Sequence, residues 1–211
     1  MVIEEFSDRE QASEAIARHI QSALQNHLET KPEATFIASG GTSPLQCFKL
    51  LSQSELPWER VKVTLSDERS VPVTNENSNE GMLRRTLLTN RAAAAEFVPL
   101  EKHALELLTK PFACALVGVG EDGHFASIFP DNVNLPTALA LDNTELCFPV
   151  TTGASPLPRI SMSLALLLQS EVIYLLAFGE SKRAIIKSPD NYPVAALLLQ
   201  QRTPVHVIWA P

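Results

Sequence analysis

The sequence predicts a three-layer α/β fold, a mostly parallel β-sheet with helices packed on both faces. Three observations carry that prediction. Short apolar runs alternate with helix-patterned segments along the chain. Residues 113–119 contain almost no polar side chain, as expected of a strand covered on both sides. Several apolar runs end in glycine-rich or polar turns, the edge at which open α/β sheets place their ligands.

The elements follow in chain order. Ser7-Asp8-Arg9-Glu10 has the spacing of a capping box, and the helix it opens carries Ala12, Ala15, Ile16, Ile20, Ala23 and Leu24 at helical intervals. Residues 35–38 read as a strand ending at Ser39-Gly40-Gly41. Ser43 is placed to cap the next helix, with Pro44 at its first position and Gln46 three residues after the cap. Residues 61–65 form the next strand and run into Ser66-Asp67-Glu68-Arg69. Polar residues 74–80 lead into a helix carrying Met82, Leu83 and Leu87. The connection from Arg84 to Pro111 has no clear period. The strand at 113–119 ends in Gly118-Val119-Gly120-Glu121-Asp122-Gly123-His124. Residues 130–137 read as a loop, 147–151 as a strand, 152–158 as a loop and 160–169 as a helix. A strand at 172–178, short helices after Gly179 and Pro193, and a strand at 205–209 complete the chain. No internal repeat or linker interrupts it, so the 211 residues read as one domain, 1–211.

Composition excludes several classes. Apolar residues make up 45% and charged residues 19%, a globular balance. The net charge of −7 argues against a general affinity for nucleic acid or an anionic membrane. Any anionic ligand must therefore be held by a local group of cations. The N-terminus has no basic-then-apolar pattern of a signal peptide, and the longest apolar runs fall far short of a membrane span. Three widely spaced cysteines, Cys47, Cys114 and Cys147, read as free thiols in a reducing cytoplasm.

The chemistry gathers at three strand ends. Ser39-Gly40-Gly41-Thr42-Ser43-Pro44 is either an ordinary strand-to-helix turn or a phosphate cradle, in which free N–H groups face an anion. It lacks the GxxxxGK[ST] and GxGxxG patterns. Arg69 could reach a phosphate or a developing negative charge, with Asp67 holding its guanidinium, or the two could form a surface ion pair. His124, flanked by glycine, could take a proton from water and return it to a leaving group, with Asp122 orienting its ring. The other histidines have no such setting, and His19 and His27 read as solvated. There is no GxSxG elbow for a serine hydrolase and no HExxH or Cys/His pairing for a metal. Arg159, at the start of the 160–169 helix, and Lys182, after the 172–178 strand, add two cations at similar junctions.

The blocks Ser39-Gly40-Gly41-Thr42-Ser43-Pro44, Ser66-Asp67-Glu68-Arg69-Ser70-Val71-Pro72, Asn77-Ser78-Asn79, residues 118–130, Pro158-Arg159-Ile160-Ser161 and Gly179-Glu180-Ser181-Lys182 resemble the 6-phosphogluconolactonases. They stand in that family's order and span roughly residues 36–182. The related glucosamine-6-phosphate deaminases typically follow the Gly-His core with Phe-Asn-Glu-Pro, whereas this chain reads Ala126-Ser127-Ile128-Phe129-Pro130 within that block. The family's turn commonly reads Ser-Gly-Gly-Ser-Thr-Pro; here the hydroxyl pair is Thr42-Ser43. The stretch between Leu88 and Pro111 is shorter than usual.

The resemblance implies a modified Rossmann-like fold and hydrolysis of 6-phospho-D-glucono-1,5-lactone to 6-phosphogluconate in the oxidative pentose phosphate pathway. It implies no cofactor and no metal. Carried over by motif, His124 is the general base with Asp122 beside it. Arg69, Asp67 and the turn Ser39, Gly40, Gly41, Thr42 fall in the substrate pocket, and Arg159 and Lys182 match phosphate-holding positions. The expected partner is a small phosphorylated sugar lactone, and the expected state is a cytoplasmic monomer or weak homo-oligomer. Two other readings stand beside this one. A sugar-phosphate deaminase or isomerase would need a proton-abstracting carboxylate, for which Asp67 is the candidate. A sugar-phosphate-sensing module would want an attached DNA-binding head, for which a sheet beginning at residue 35 leaves little room.

Overall fold

The computed structural model describes residues 1–211. The strands are β1 (Val2–Glu5), β2 (Ala34–Ala38), β3 (Val61–Leu65), β4 (Asp67–Arg69), β5 (Glu96–Phe97), β6 (Cys114–Gly118), β7 (Cys147–Thr152), β8 (Ser155–Met162), β9 (Ile173–Phe178) and β10 (Val205–Ala210). The helices are α1 (Arg9–Thr30), α2 (Leu45–Leu51), α3 (Asn79–Thr86), α4 (Lys102–Glu106), α5 (Leu135–Leu139), α6 (Leu164–Leu167), α7 (Glu180–Lys187) and α8 (Val194–Leu199). Seven strands pair in parallel in the order β1-β10-β9-β6-β2-β3-β5. The other three form a small antiparallel sheet, β4-β8-β7.

Helices cover both faces of the large sheet because its strands are apolar on both sides. On β2, Phe36 and Ala38 enter a core with Ile16, Ile20 and Leu24 of α1 and Phe48 of α2. Ile37, between them, points into the opposite core, with Leu105 of α4, Ile185 of α7 and Leu197 of α8. Strand β6 divides in the same way, Cys114 and Leu116 to one side, Ala115 and Val117 to the other. Each large side chain sealed in this manner contributes about 1.5–3 kcal/mol. The three-layer architecture is therefore the one the alternation of apolar runs predicts.

The strand order sets the position of the site. The chain leaves β2 for β3 on one side, and later leaves β6 for β9 on the other. Strands β2 and β6 are neighbours, so the order reverses between them, and that reversal opens a crevice at their carboxyl ends. The Ser39-Gly40-Gly41 turn leaves β2 and the Gly120–His124 loop follows β6, one on each side of the crevice.

Several local expectations change. The sheet begins at Val2 with β1, not at residue 35. Helix α1 is capped by Asp8, whose Oδ1 accepts from Gln11 N at 2.8 Å, while the Ser7 hydroxyl donates to Asp8. Helix α2 has Pro44 at its cap position and no side-chain cap, so Ser43 does not fill that role. Residues 152–158 are not a loop: β7 turns at Gly153 and returns as β8. The 160–169 helix shrinks to α6, and Arg159 stands on a strand. A short helix, α5, occupies part of the 130–137 loop. His27 is buried beside Glu171 at 3.1 Å, and the His19 ring stacks on Tyr174, so neither is simply solvated.

Candidate active site

A cleft of about 270 Å³ opens at the strand-order reversal. It brings together Ser39, Gly40, Gly41 and Thr42 from the turn after β2 and Asp67 and Arg69 from β4. His124 from the loop after β6, Arg159 from β8 and Lys182 from α7 complete the set. Asp122 does not line the cleft but stands behind the His124 ring.

The turn after β2 is built to expose its backbone. Gly41 takes φ +86°, a conformation that favours glycine. The N–H groups of Gly40, Gly41, Thr42 and Ser43 donate to no other group in the protein. Four free donors on one turn, with three cations across the cleft, make its wall electropositive despite the acidic chain.

His124 is held on three sides. Its Nδ1 lies 2.5 Å from Asp122 Oδ1, and its backbone N–H donates to the same oxygen at 3.2 Å. The ring packs against Phe129 with centroids 4.1 Å apart. The loop closes through Gly120 N, which donates to His124 O at 2.9 Å. A Cβ at Gly120 would lie 2.2 Å from His124 Nδ1 and 2.6 Å from Asp122 Oδ1. Only glycine leaves room for the pair. An ionised Asp122 fixes the proton on Nδ1, which leaves the Nε2 lone pair free to accept another.

Asp67 does not hold Arg69. The two lie two residues apart on one short strand and so share a face, but their side chains are engaged elsewhere. The Asp67 carboxylate, buried, accepts from Ser127 Oγ at 2.6 Å and Ser66 Oγ at 3.2 Å, and Arg159 Nη1 lies 3.6 Å away. Arg159 is further fixed by Ser155 Oγ, 3.1 Å from its Nη2, and lies over the Phe129 ring. Arg69 donates from Nη1 to Asn77 O at 2.6 Å, and its buried Nε has no partner.

Arg69 and Arg159 face each other directly across the β4–β8 pair. Like charges in that position repel. Burial pushes the Arg159 pKa down, and the Arg69 charge adds to that. Burial also lowers Lys182, against the opposing pull of Glu121. An anion seated among these groups would relieve all three effects. The cysteines offer no competing nucleophile: burial raises the thiol pKa of Cys47, Cys114 and half-buried Cys147, which keeps them protonated.

Two residues of the site were not singled out individually in the sequence. Glu68 accepts from the backbone N–H groups of Arg69, Asn79 and Glu80, each at 2.7 Å, and from Ser78 Oγ at 3.1 Å. It thereby ties β4 to the start of α3. Asn79 lines the cleft from that helix. The signal was present, since Asn77-Ser78-Asn79 is one of the resembling blocks, but an Asn at a helix start reads as capping chemistry.

A family model described as glucosamine-6-phosphate isomerases/6-phosphogluconolactonase matches residues 7–209. The chain is 38% identical over 224 residues to a 6-phosphogluconolactonase of Caulobacter vibrioides, with 99% of this chain and 97% of that one covered. Its structure resembles that of a 6-phosphogluconolactonase from Shewanella baltica at a TM-score of 0.94 and 33% identity, covering 100% and 98% of the two chains. A monomeric glucosamine-6-phosphate deaminase shares the fold at a TM-score of 0.75 and 17% identity, covering 100% and 97%.

Proposed function

The chain belongs to the glucosamine-6-phosphate isomerase/6-phosphogluconolactonase family, and from that premise we propose that its cleft hydrolyses 6-phospho-D-glucono-1,5-lactone to 6-phosphogluconate, with His124 as general base. One observation carries the reading. A tautomer-fixed imidazole and three cations share one small cleft.

Water held at His124 Nε2 attacks the lactone carbonyl carbon. The imidazole takes its proton, and Asp122 stabilises the imidazolium that forms. The carbonyl π electrons move onto oxygen, and Arg69 faces the developing charge. The tetrahedral species collapses, the bond to the ring oxygen breaks, and the imidazolium returns the proton to that oxygen. The products are a free carboxylic acid and a hydroxyl, and no cofactor or metal enters the balance. Lys182, Arg159 and the free N–H groups of Gly40, Gly41, Thr42 and Ser43, in the turn that begins at Ser39, grip the phosphate at the far end. Remote binding of that kind orients the reacting carbon. Asp67 acts here as the anchor of Arg159.

The deaminase reading shares the fold, and it needs a free carboxylate base. Both Asp67 oxygens already accept hydroxyl hydrogen bonds, and Arg159 lies beside them. That favours the lactonase. We propose that the chain acts as one domain and as a monomer or weak homo-oligomer. No helix is long and apolar enough to cross a membrane. We place the protein in the cytoplasm, where its free thiols and a phosphorylated substrate belong.

The test offers freshly made lactone and glucosamine 6-phosphate to the purified protein in parallel. Acid release well above the spontaneous rate, without ammonia from the amino sugar, supports the proposal. Ammonia release favours the deaminase. Binding of both sugars with turnover of neither favours a sensor.

A further inference from the structure

We infer that Asn79 reads a ring hydroxyl of the substrate as a hydrogen-bond acceptor and so helps to set which sugar lactone is taken. The inference rests on the lactonase reading and deepens it.

Asn79 is the first residue of α3 and is only 1% exposed, yet it lines the same cleft as His124. Its orientation is fixed by three contacts. The backbone N–H donates to Glu68 Oε1 at 2.7 Å. The side-chain Nδ2 donates to Asp67 O at 2.8 Å, which settles which end of the amide is nitrogen. The amide plane lies over Gly40, where a Cβ would meet its Oδ1 at 2.1 Å. A glycine in the proposed phosphate turn is therefore also what admits this amide.

With one N–H of Nδ2 given to Asp67 O, Oδ1 is the one polar atom of the side chain left without a partner in the protein. It is an acceptor only. It cannot bind the phosphate or the lactone carbonyl, both of which are acceptors themselves. The groups of a sugar lactone that suit it are its ring hydroxyls. A nearly sealed acceptor discriminates strongly, because an analogue lacking the hydroxyl leaves it unpaired.

The experiment compares the unaltered protein with Asn79→Leu, which keeps the number and branching of the side-chain heavy atoms, on the parent lactone and on its 2-, 3- and 4-deoxy analogues. Removing one hydroxyl is expected to lower kcat/KM of the unaltered protein roughly tenfold. Asn79→Leu is expected to lose a similar factor on the parent lactone, chiefly through KM, and nothing further on that one analogue. Equal losses on all four substrates, or a fall in kcat alone, overturn the inference. If Asn79→Leu does not fold, Asn79→Asp keeps an acceptor at a helix start, a favourable place for it. It must still reject the same analogue, and loss of that discrimination with unchanged melting also overturns it. Absence of parent-lactone turnover by the unaltered protein counts against the lactonase reading instead.

Discussion

In the proposed mechanism the Asp122 carboxylate acts through a single proton. By accepting from His124 Nδ1 at 2.5 Å, it leaves the Nε2 lone pair free to take a proton. Asp122→Asn preserves the shape and removes the charge. The amide can present its N–H to Nδ1 and turn the ring to the wrong tautomer. We expect kcat to fall on the order of 10²-fold, with KM little changed, since a general base contributes roughly 10²–10⁴-fold. Steady-state kinetics on fresh lactone checks this, and a change confined to KM would place Asp122 in binding. At this scale the sequence was informative. A histidine beside an aspartate in a glycine-flanked loop is a local pattern, and its geometry follows from two residues of separation. The partners of Asp67 were not legible, because Ser127 lies 60 residues away and Arg159 on a strand that reads as a helix start.

The elements show why some of the fold could be read and some could not. Strands β2, β3, β6, β9 and β10 are short, rich in apolar residues and flanked by turns, which marks them as buried parallel strands. Strand β1 is a four-residue, largely exposed edge and carries too little pattern to see. Strand β8 hides behind Pro156 and Pro158, residues that argue against a central strand. The structure tolerates them because they lie beyond its register with β4, which covers Arg159 to Ser161. The loop after β6 carries the proposed general base. In Gly120→Ala the new methyl group must displace the His124–Asp122 pair. Activity should fall at least tenfold while the sheet survives. Turnover measured beside circular dichroism separates the two, and near-normal activity would mean that the loop yields without moving the histidine.

Taken whole, the molecule is acidic, with a net charge of −7, and several of its carboxylates work as ties. The Gln11 backbone N–H lowers the pKa of Asp8 at the start of α1. Lys62, joined by Thr109, lowers Glu33. The Thr152 hydroxyl, with Gly153 N–H, lowers Asp131 and binds it to the β7–β8 hairpin. A carboxylate depressed in the folded state adds stability that is complete above its unfolded value and is lost as pH falls through the folded one. The ordinary values are 3.8 for the aspartates and 4.5 for the glutamate. The melting temperature should therefore change little on this account between pH 7 and about 5, and begin to fall below about 4. Melting curves across that range would show it, and Asp131→Asn should flatten part of the fall.

The most direct measurement follows acid release from freshly generated 6-phosphogluconolactone by the unaltered protein and by His124→Ala, at equal concentration and with melting curves showing both folded. The expected result is rapid hydrolysis by the first and a rate reduced roughly 10²–10⁴-fold in the second. Hydrolysis by His124→Ala at the unaltered rate would remove the imidazole from the reaction and contradict the proposed mechanism.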